Sequence, residues 1–381
     1  MLDFCNVACG ELREAKKIEA MKTPAFLVVL SLAVVSAAAE DCGTLPAAPD
    51  RTPHLVLTLA STAALPVLTI NSKGAEDLVG GFEGGTVVKL DGTFHAFLTE
   101  MRSGFATRLA HWTSSDGDHW TRAGTLFPSS GDFTGEDRRA ALWAPMPVYD
   151  AKRDEWNLFY VGYRSKPDTP TAWYSNYDGE IVRAISQTKG ERGIGGPYVD
   201  AAVILSPGRN SDAWEGLQGV DSFFPYRAED RWMGFYGTAH TEAKPISSWR
   251  VGLASATKLQ GPWRRCSSLN PSPIETHFME NPVVSRIGSA YVAIYDVDVD
   301  AINAIGYADS LDGVHWANGK RLQIFSDPAI QARTPLALIP DGQGGYDLFV
   351  TAYVHLQNQR GQPVNAGSMF HFKVKAEQPS R

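Results

Sequence analysis

The sequence lacks a basic run. Its 35 Lys and Arg stand against 42 Asp and Glu, for a formal net charge of −7. A chain without a basic face cannot displace the counterions of a phosphate backbone, so nucleic acid is excluded as a partner. Acidity names no other partner, because a mildly negative surface also serves solubility. A long helical pattern is missing as well: beyond residue 45, Lys, Glu and Leu never build a stripe of period 3.6. In its place stand 35 Gly, 23 Pro, 10 Trp, 13 Tyr and 17 Phe, a composition that suits many short strands joined by turns. No long membrane span is read either. The apolar stretch after Met21-Lys22 runs for about 16 residues, short of the roughly 20 that a spanning helix needs.

That stretch, Ala25 to Val35, leads into Ser36-Ala37-Ala38-Ala39. Small residues in an Ala-x-Ala pattern after an apolar run predict a secretory signal peptide over 21–39. Residues 1–20 are too polar for the start of such a signal and are read as an extension ahead of a true start at Met21. The alternative is an uncleaved anchor. Cleavage after Ala39 would give a secreted or periplasmic protein, with no membrane contact afterwards. It would leave Cys42 and Cys266, which either pair in an oxidising compartment or stay as two thiols. Ala39-Glu40-Asp41-Cys42 is not a lipoprotein box, so no lipid is expected on Cys42.

At 381 residues the chain exceeds one ordinary core and is expected to repeat a smaller unit. Ser114-Ser115-Asp116-Gly117-Asp118-His119-Trp120 matches Ser310-Leu311-Asp312-Gly313-Val314-His315-Trp316, each after a short apolar strand. Asp-Gly supplies a tight turn, the Ser and Asp side chains cap its amides, and the Trp packs beneath. Asp116, Asp118 and Asp312 are therefore structural. A second signature, Gly196-Pro197-Tyr198 and Gly261-Pro262-Trp263, follows small-residue strands in the corresponding places. Upstream of each hairpin lies a strand pair. The five pairs are Gly85 to Leu90 with Thr93 to Leu98, Met146 to Tyr149 with Glu155 to Tyr160, Ser222 to Tyr226 with Trp232 to Tyr236, Pro282 to Arg286 with Ala290 to Tyr295, and Leu336 to Ile339 with Tyr346 to Ala352. Inner strands recurring every ~55 to 75 residues predict an all-β, five-bladed β-propeller over 79–381. The segment 40–78 brings a closing strand from His54 to Thr69. A β-sandwich is the competing architecture.

The first strand of each propeller blade lines the central channel, so residues at these strand starts converge. The starts read Gly81-Phe82-Glu83-Gly84-Gly85, Leu142-Trp143-Ala144-Pro145, Gly219-Val220-Asp221-Ser222-Phe223, Phe278-Met279-Glu280-Asn281-Pro282 and Ala332-Arg333-Thr334-Pro335. Three carboxylates, an aromatic and a cation are thus aimed at one mouth. Inverting cleavage of a glycosidic bond needs a carboxylate as base on water and a carboxylic acid for the leaving oxygen, and a third carboxylate beside the acid raises its pKa. Trp143 would give an apolar face to a sugar ring. Each carboxylate taken singly also fits a turn cap or an ion pair with Arg138, Arg139 or Arg227. Asp296, Asp298 and Asp300 alternate after Tyr295 and are read as solvated side chains on a blade edge, with a metal site as the lesser alternative.

The order of Trp143-Ala144-Pro145, Asp221-Ser222-Phe223-Phe224, Glu280-Asn281-Pro282 and the Gly-Pro-aromatic corners resembles the five-bladed propeller glycoside hydrolases of family 43 and its relatives, including family 117, over roughly residues 79 to 375. The resemblance implies Glu280 as the acid, Asp221 as the modulator of its pKa, and Glu83 as the base, where the family carries Asp-Pro. Glu100 is the reserve base. Trp143, His277, Arg333 and Asn281 are expected to contact a carbohydrate substrate. The mechanism requires no cofactor, and Arg333-Thr334 stands where the family often places a His near calcium, so calcium has no matching residue. The function expected is a secreted, inverting hydrolase of plant or algal polysaccharide-derived glycosides. The alternatives are a non-catalytic carbohydrate-binding propeller and a sialidase-like glycosidase.

Overall fold

The computed structural model describes residues 42–50, 54–61, 65–102, 106–165, 176–241, 248–297 and 303–377. The signal peptide read over 21–39 and the extension before it lie outside the described residues. Among those described there is no α-helix. The alternation of apolar and polar residues between Gly- and Asp-rich turns builds strands throughout. A first short strand, β1 (Val56–Leu59), is followed by four-stranded antiparallel meanders. The first holds β2 (Leu78–Leu90), β3 (Thr93–Arg102), β4 (Thr107–Ser114) and β5 (Thr121–Pro128). The second holds β6 (Ala141–Asp150), β7 (Glu155–Ser165), β8 (Asn176–Lys189) and β9 (Tyr198–Leu205). The third is β10 (Asp221–Ala228), β11 (Arg231–Ala239), β12 (Trp249–Ala256) and β13 (Arg264–Arg265), and the fourth is β14 (Glu280–Ile287), β15 (Ala290–Asp296), β16 (Ala304–Ser310) and β17 (Lys320–Gln323).

The last three strands are β18 (Gln331–Pro340), β19 (Tyr346–Gln357) and β20 (Pro363–Glu377), and β1 pairs antiparallel with the outer part of β20 as a fourth. A single parallel contact, Gly81 with Gly367, joins this group to the first meander in one eight-stranded sheet. Only glycine permits it: a Cβ on Gly81 would sit 2.1 Å from the Gly367 carbonyl oxygen.

Aromatic side chains fill the seams between successive groups. Phe127 meets Tyr160 with ring centroids 5.3 Å apart, Phe159 meets Phe223 at 5.5 Å, and Phe235 meets Trp316 at 5.2 Å. Phe325 meets Phe370 at 4.9 Å, and Phe94 meets Phe349 at 5.4 Å. The large apolar area of these rings fills the space between neighbouring groups, and one continuous cluster takes in both the Phe159–Phe223 and the Phe325–Phe370 contacts.

The matched hairpins are capped alike. Ser114 Oγ accepts from the Gly117 amide at 2.8 Å and Ser310 Oγ from the Gly313 amide at 2.9 Å. Asp116 and Asp312 each accept from the amide three residues on, at 2.8 Å, and from that His ring. These carboxylates are fully occupied by their own turns, as structural residues should be.

Cys42 and Cys266 form a disulfide that ties the segment before β1 to the third meander. Replacing both with Ser is expected to lower the unfolding free energy by about 2–4 kcal/mol. Urea denaturation checks this, and an unshifted midpoint would show that the tether contributes nothing.

Candidate active site

One backbone device recurs at the start of every inner strand. The antiparallel register slips between Glu83 and Gly85, between Trp143 and Met146, between Asp221 and Phe223, between Glu280 and Val283, and between Ala332 and Pro335. In four of these bulges the residue after the site residue takes a left-handed conformation: Gly84 at φ 67°, Ala144 at 50°, Ser222 at 37° and Asn281 at 50°. A bulge bends the strand and re-aims one side chain, and the positive φ at non-glycine residues is strain held by the surroundings. The holding contacts are present. The Ala144 amide donates to Thr99 Oγ1 at 3.0 Å, Asn281 Nδ2 donates to Thr334 Oγ1 at 3.3 Å, and the Thr334 amide donates to Thr351 Oγ1 at 3.2 Å.

The five re-aimed side chains, Glu83, Trp143, Asp221, Glu280 and Arg333, line one pocket that opens to solvent. Asn281 lines it too, while its amide side chain is held by Thr334. Sequence reasoning missed several neighbours in the same wall: Met101, Asn176, Gln218, Trp249 and Tyr353.

Arg333 is the electrostatic centre. Its Nη1 donates to Asp296 Oδ2 at 2.9 Å, and its Nη2 donates to Glu83 Oε1 at 2.7 Å and to Glu280 Oε2 at 3.4 Å. Burial alone would lower the guanidinium pKa, but Glu83, Asp296 and Glu280 outweigh that and hold it well above its ordinary value. The second oxygen of Glu83 accepts from the Tyr353 hydroxyl at 2.5 Å. Asp221 Oδ1 accepts from the Tyr163 hydroxyl at 2.6 Å and from the Ser222 amide at 2.8 Å.

Arg333 thus bonds three carboxyl groups while a fourth, Asp221, stands near them, and buried carboxyls set this close raise one another's pKa. Burial pushes Glu280 well above the usual carboxylate range. Arg333 pulls it back, and the charges of Asp221, Asp296 and Glu83 push it further up. Asp221 is also raised, by burial first, against the hydrogen bonds from Tyr163 and Ser222. The upward push is the stronger at Glu280.

Three expectations change. His277 is exposed and does not line the pocket, because it precedes the bulge that turns Glu280 inward. Glu100, the reserve base, is fully buried away from the site, bonded by Trp112 Nε1 at 2.8 Å, Arg122 Nε at 3.0 Å and Arg108. It follows Thr99, which faces Ala144, and strand alternation sends it to the opposite face. Asp296 is not a solvated edge residue but 1 % exposed and paired with Arg333. Asp298 and Asp300 lie outside the described residues.

Replacing Arg333 with Met would strand buried carboxylates and is expected to cost about 3–5 kcal/mol of stability at neutral pH. Part of that loss should return toward acid pH, where the carboxyls take up protons. Thermal unfolding across pH reads both effects. Glu280→Gln gives the converse result. A carboxyl whose pKa is raised by folding binds its proton more tightly in the native state, so its contribution is complete below the ordinary value of 4.5 and is lost as pH rises through the native value. The Gln variant has no proton to lose, so its melting temperature should rise relative to wild type as pH climbs from about 4.5 to the native value, and the gap should level off above it. Parallel pH profiles for the two proteins would show that Glu280 does not titrate as described.

Compared with protein-family models and with curated proteins, the sequence matches none. Solved structures do match. A family 117 glycoside hydrolase, Zg3597 from the marine bacterium Zobellia galactanivorans, superposes with a TM-score of 0.55 at 13% identity, over 85% of this chain and 91% of that one. BT0996, solved as an RGII complex, gives 0.57 at 18% identity, over 81% and 92%. The GH43_1 enzyme from Xanthomonas citri complexed with xylose gives 0.51 at 13%, over 82% and 90%. The chain thus has the all-β, propeller-like fold of the glycoside hydrolases of families 43 and 117 and their relatives, the group that its motifs resemble.

Proposed function

We propose that the chain is a five-bladed propeller and that its pocket is the active site of a secreted or periplasmic glycoside hydrolase acting with inversion on plant or algal polysaccharide-derived glycosides. The observation that carries the reading is Glu280, a carboxyl that burial pushes well above the usual carboxylate range, in the same pocket as two further acidic side chains, Asp221 and Glu83. Five meander-like strand groups with five aromatic seams support the blade count. One structural neighbour was solved as an RGII complex and another with xylose, which supports the substrate class.

In this reading Glu280 gives its proton to the glycosidic oxygen as the bond from that oxygen to the anomeric carbon breaks. Glu83 takes a proton from the water that attacks the opposite face of that carbon, and Asp221 holds Glu280 protonated until the transfer. Trp143 supplies the apolar platform. Glu83 and Glu280 oxygens sharing one Arg333 nitrogen at 2.7 and 3.4 Å are at most about 6 Å apart, below the ~6.5–9.5 Å that inversion uses and nearer the ~5–5.5 Å of retention, so inversion requires the two carboxyls to separate. Substrate entry would release the longer contact, to Glu280, and leave the guanidinium on Glu83 and Asp296.

A second reading, a carbohydrate-binding protein without catalysis, is favoured by one observation: both oxygens of Glu83 are already engaged, by Arg333 and Tyr353. The sialidase-like alternative loses ground, because Arg333 is the one arginine that lines the pocket among the described residues.

Assay of wild type, Glu280→Gln and Asp221→Asn on a panel of aryl glycosides and oligosaccharides separates these. Hydrolysis by wild type should fall by about 10²–10⁴ in each variant, and NMR of the first-formed anomer should show inversion. Undiminished turnover in Glu280→Gln would remove the acid assignment, and binding without turnover in wild type would favour the second reading.

A further inference from the structure

Tyr163, on β7, does not line the pocket and is fully buried, yet its hydroxyl lies 2.6 Å from Asp221 Oδ1. The chain makes room for it with glycine. The ladder between β7 and β8 slips between Gly162 and Arg164, and a Cβ on Gly179 of β8 would lie 2.4 Å from the Tyr163 ring. Gly179 is in turn locked to the segment ahead of Asp221. Its amide donates to the Gln218 carbonyl at 2.8 Å, and its carbonyl accepts from the Val220 amide at 2.8 Å. At Gly219, with φ 81°, a Cβ would meet the Gly179 nitrogen at 2.3 Å, so only glycine lets the two backbones approach this closely. Gln218 and Asp221 are thereby brought to the same phenol oxygen.

That oxygen has one proton to give and lone pairs with which to accept. Gln218 Nε2, at 3.0 Å, can only donate, so the phenol proton goes to Asp221. Asp221 Oδ1 also accepts from the Ser222 amide at 2.8 Å. Both bonds favour the carboxylate form, and they pull against the burial that raises its pKa. The phenol itself is held well above its ordinary value by burial and by Asp221, so it stays a donor while the carboxyls titrate. A phenylalanine would fill the same space. What the hydroxyl adds is its bonds, and the one to Asp221 is charge-assisted whenever that group is ionised. The charged groups facing Asp221 are Glu83 on β2 and Glu280 on β14, with Arg333 on β18 bonded to both.

We propose that Tyr163 is a positioning residue: from behind the wall its hydroxyl fixes Oδ1 of Asp221 and favours the carboxylate, so that a negative charge stands beside Glu280. Gln218 serves the same end by fixing the phenol oxygen. The role rests on the reading of Asp221 as the modulator of Glu280, and its first test needs no turnover.

Thermal unfolding of wild type and Tyr163→Phe across pH supplies that test, with the same pair on Asp221→Asn protein as control. Asp221 has a native pKa above its ordinary 3.8, so its contribution to stability is complete below 3.8 and is lost as pH rises through the native value. Without the phenol that value goes up further, and the loss continues to higher pH. The melting temperature of Tyr163→Phe should fall behind wild type by a further ~2–4 °C over that range and then run parallel. On Asp221→Asn protein the gap should stay constant. A gap that is constant in wild type, or that widens equally in the Asp221→Asn pair, would overturn the role and leave the tyrosine as packing alone. Should Tyr163→Phe not fold, Gln218→Met is measured in its place, with a smaller widening expected and a constant gap again overturning the role. In hydrolysis, Tyr163→Phe should lower kcat about tenfold with KM nearly unchanged, and move the acid limb of the pH profile upward. An unmoved limb would count against the role in the same way. Absence of turnover in wild type would defeat the hydrolase reading alone, and the unfolding profiles would still decide the role of Tyr163.

Discussion

The structure of the pocket depends on one guanidinium. Arg333 reaches three carboxylates on three different strands: Glu83 on β2, Glu280 on β14 and Asp296 on β15. Without it, the inner strand starts would press like charges together in a poorly hydrated space, where each is worth far more than in water. With it, one unit of negative charge is offset among Glu83, Asp296 and Glu280, and the remaining acidity together with burial holds Glu280 well above the usual carboxylate range. The chemistry available to the site is a consequence of that imbalance.

The second organising constraint is the repeated bulge. Every inner strand spends one irregular step at its start, and the residue just ahead of the left-handed position, where there is one, is the residue that enters the pocket. The device is indifferent to the side chain it delivers: three carboxyl groups, an aromatic and a cation are all presented in the same way. Chemical variety is carried by residue identity and spatial precision by the backbone. The arginine site lacks the positive φ and is secured by the Thr334–Thr351 lock in its place.

What the sequence makes legible follows from how local each feature is. The Ser-x-Asp-Gly-x-His-Trp hairpins can be read because their caps join residues two to five apart. The strand starts can be read because they recur at one place in each repeat, and Glu83, Trp143, Asp221, Glu280 and Arg333 do meet. Asp296 cannot, since its partner is 37 residues away on another strand group, and an alternating Asp run looks solvated without it. His277 is misleading because proximity to Glu280 in sequence does not survive the turn between them. Gln218 and Tyr353 in the wall, and Tyr163 behind it, carry no motif at all; their part in the site is visible only in contacts with residues tens or hundreds of positions away.

The pairing of β1 with β20 bears on the order in which the molecule is made. Every other strand described finds a partner among its near neighbours in the chain, so those meanders can form as they are synthesised. β1 is made before them all, yet its only strand partner is the last one described. Until then its apolar face, Leu55 and Leu57, has no finished site to cover, and the sheet stays open at that edge. Completion is therefore a late and highly non-local event, of the kind that slows folding and leaves a strand edge exposed to other chains in the meantime.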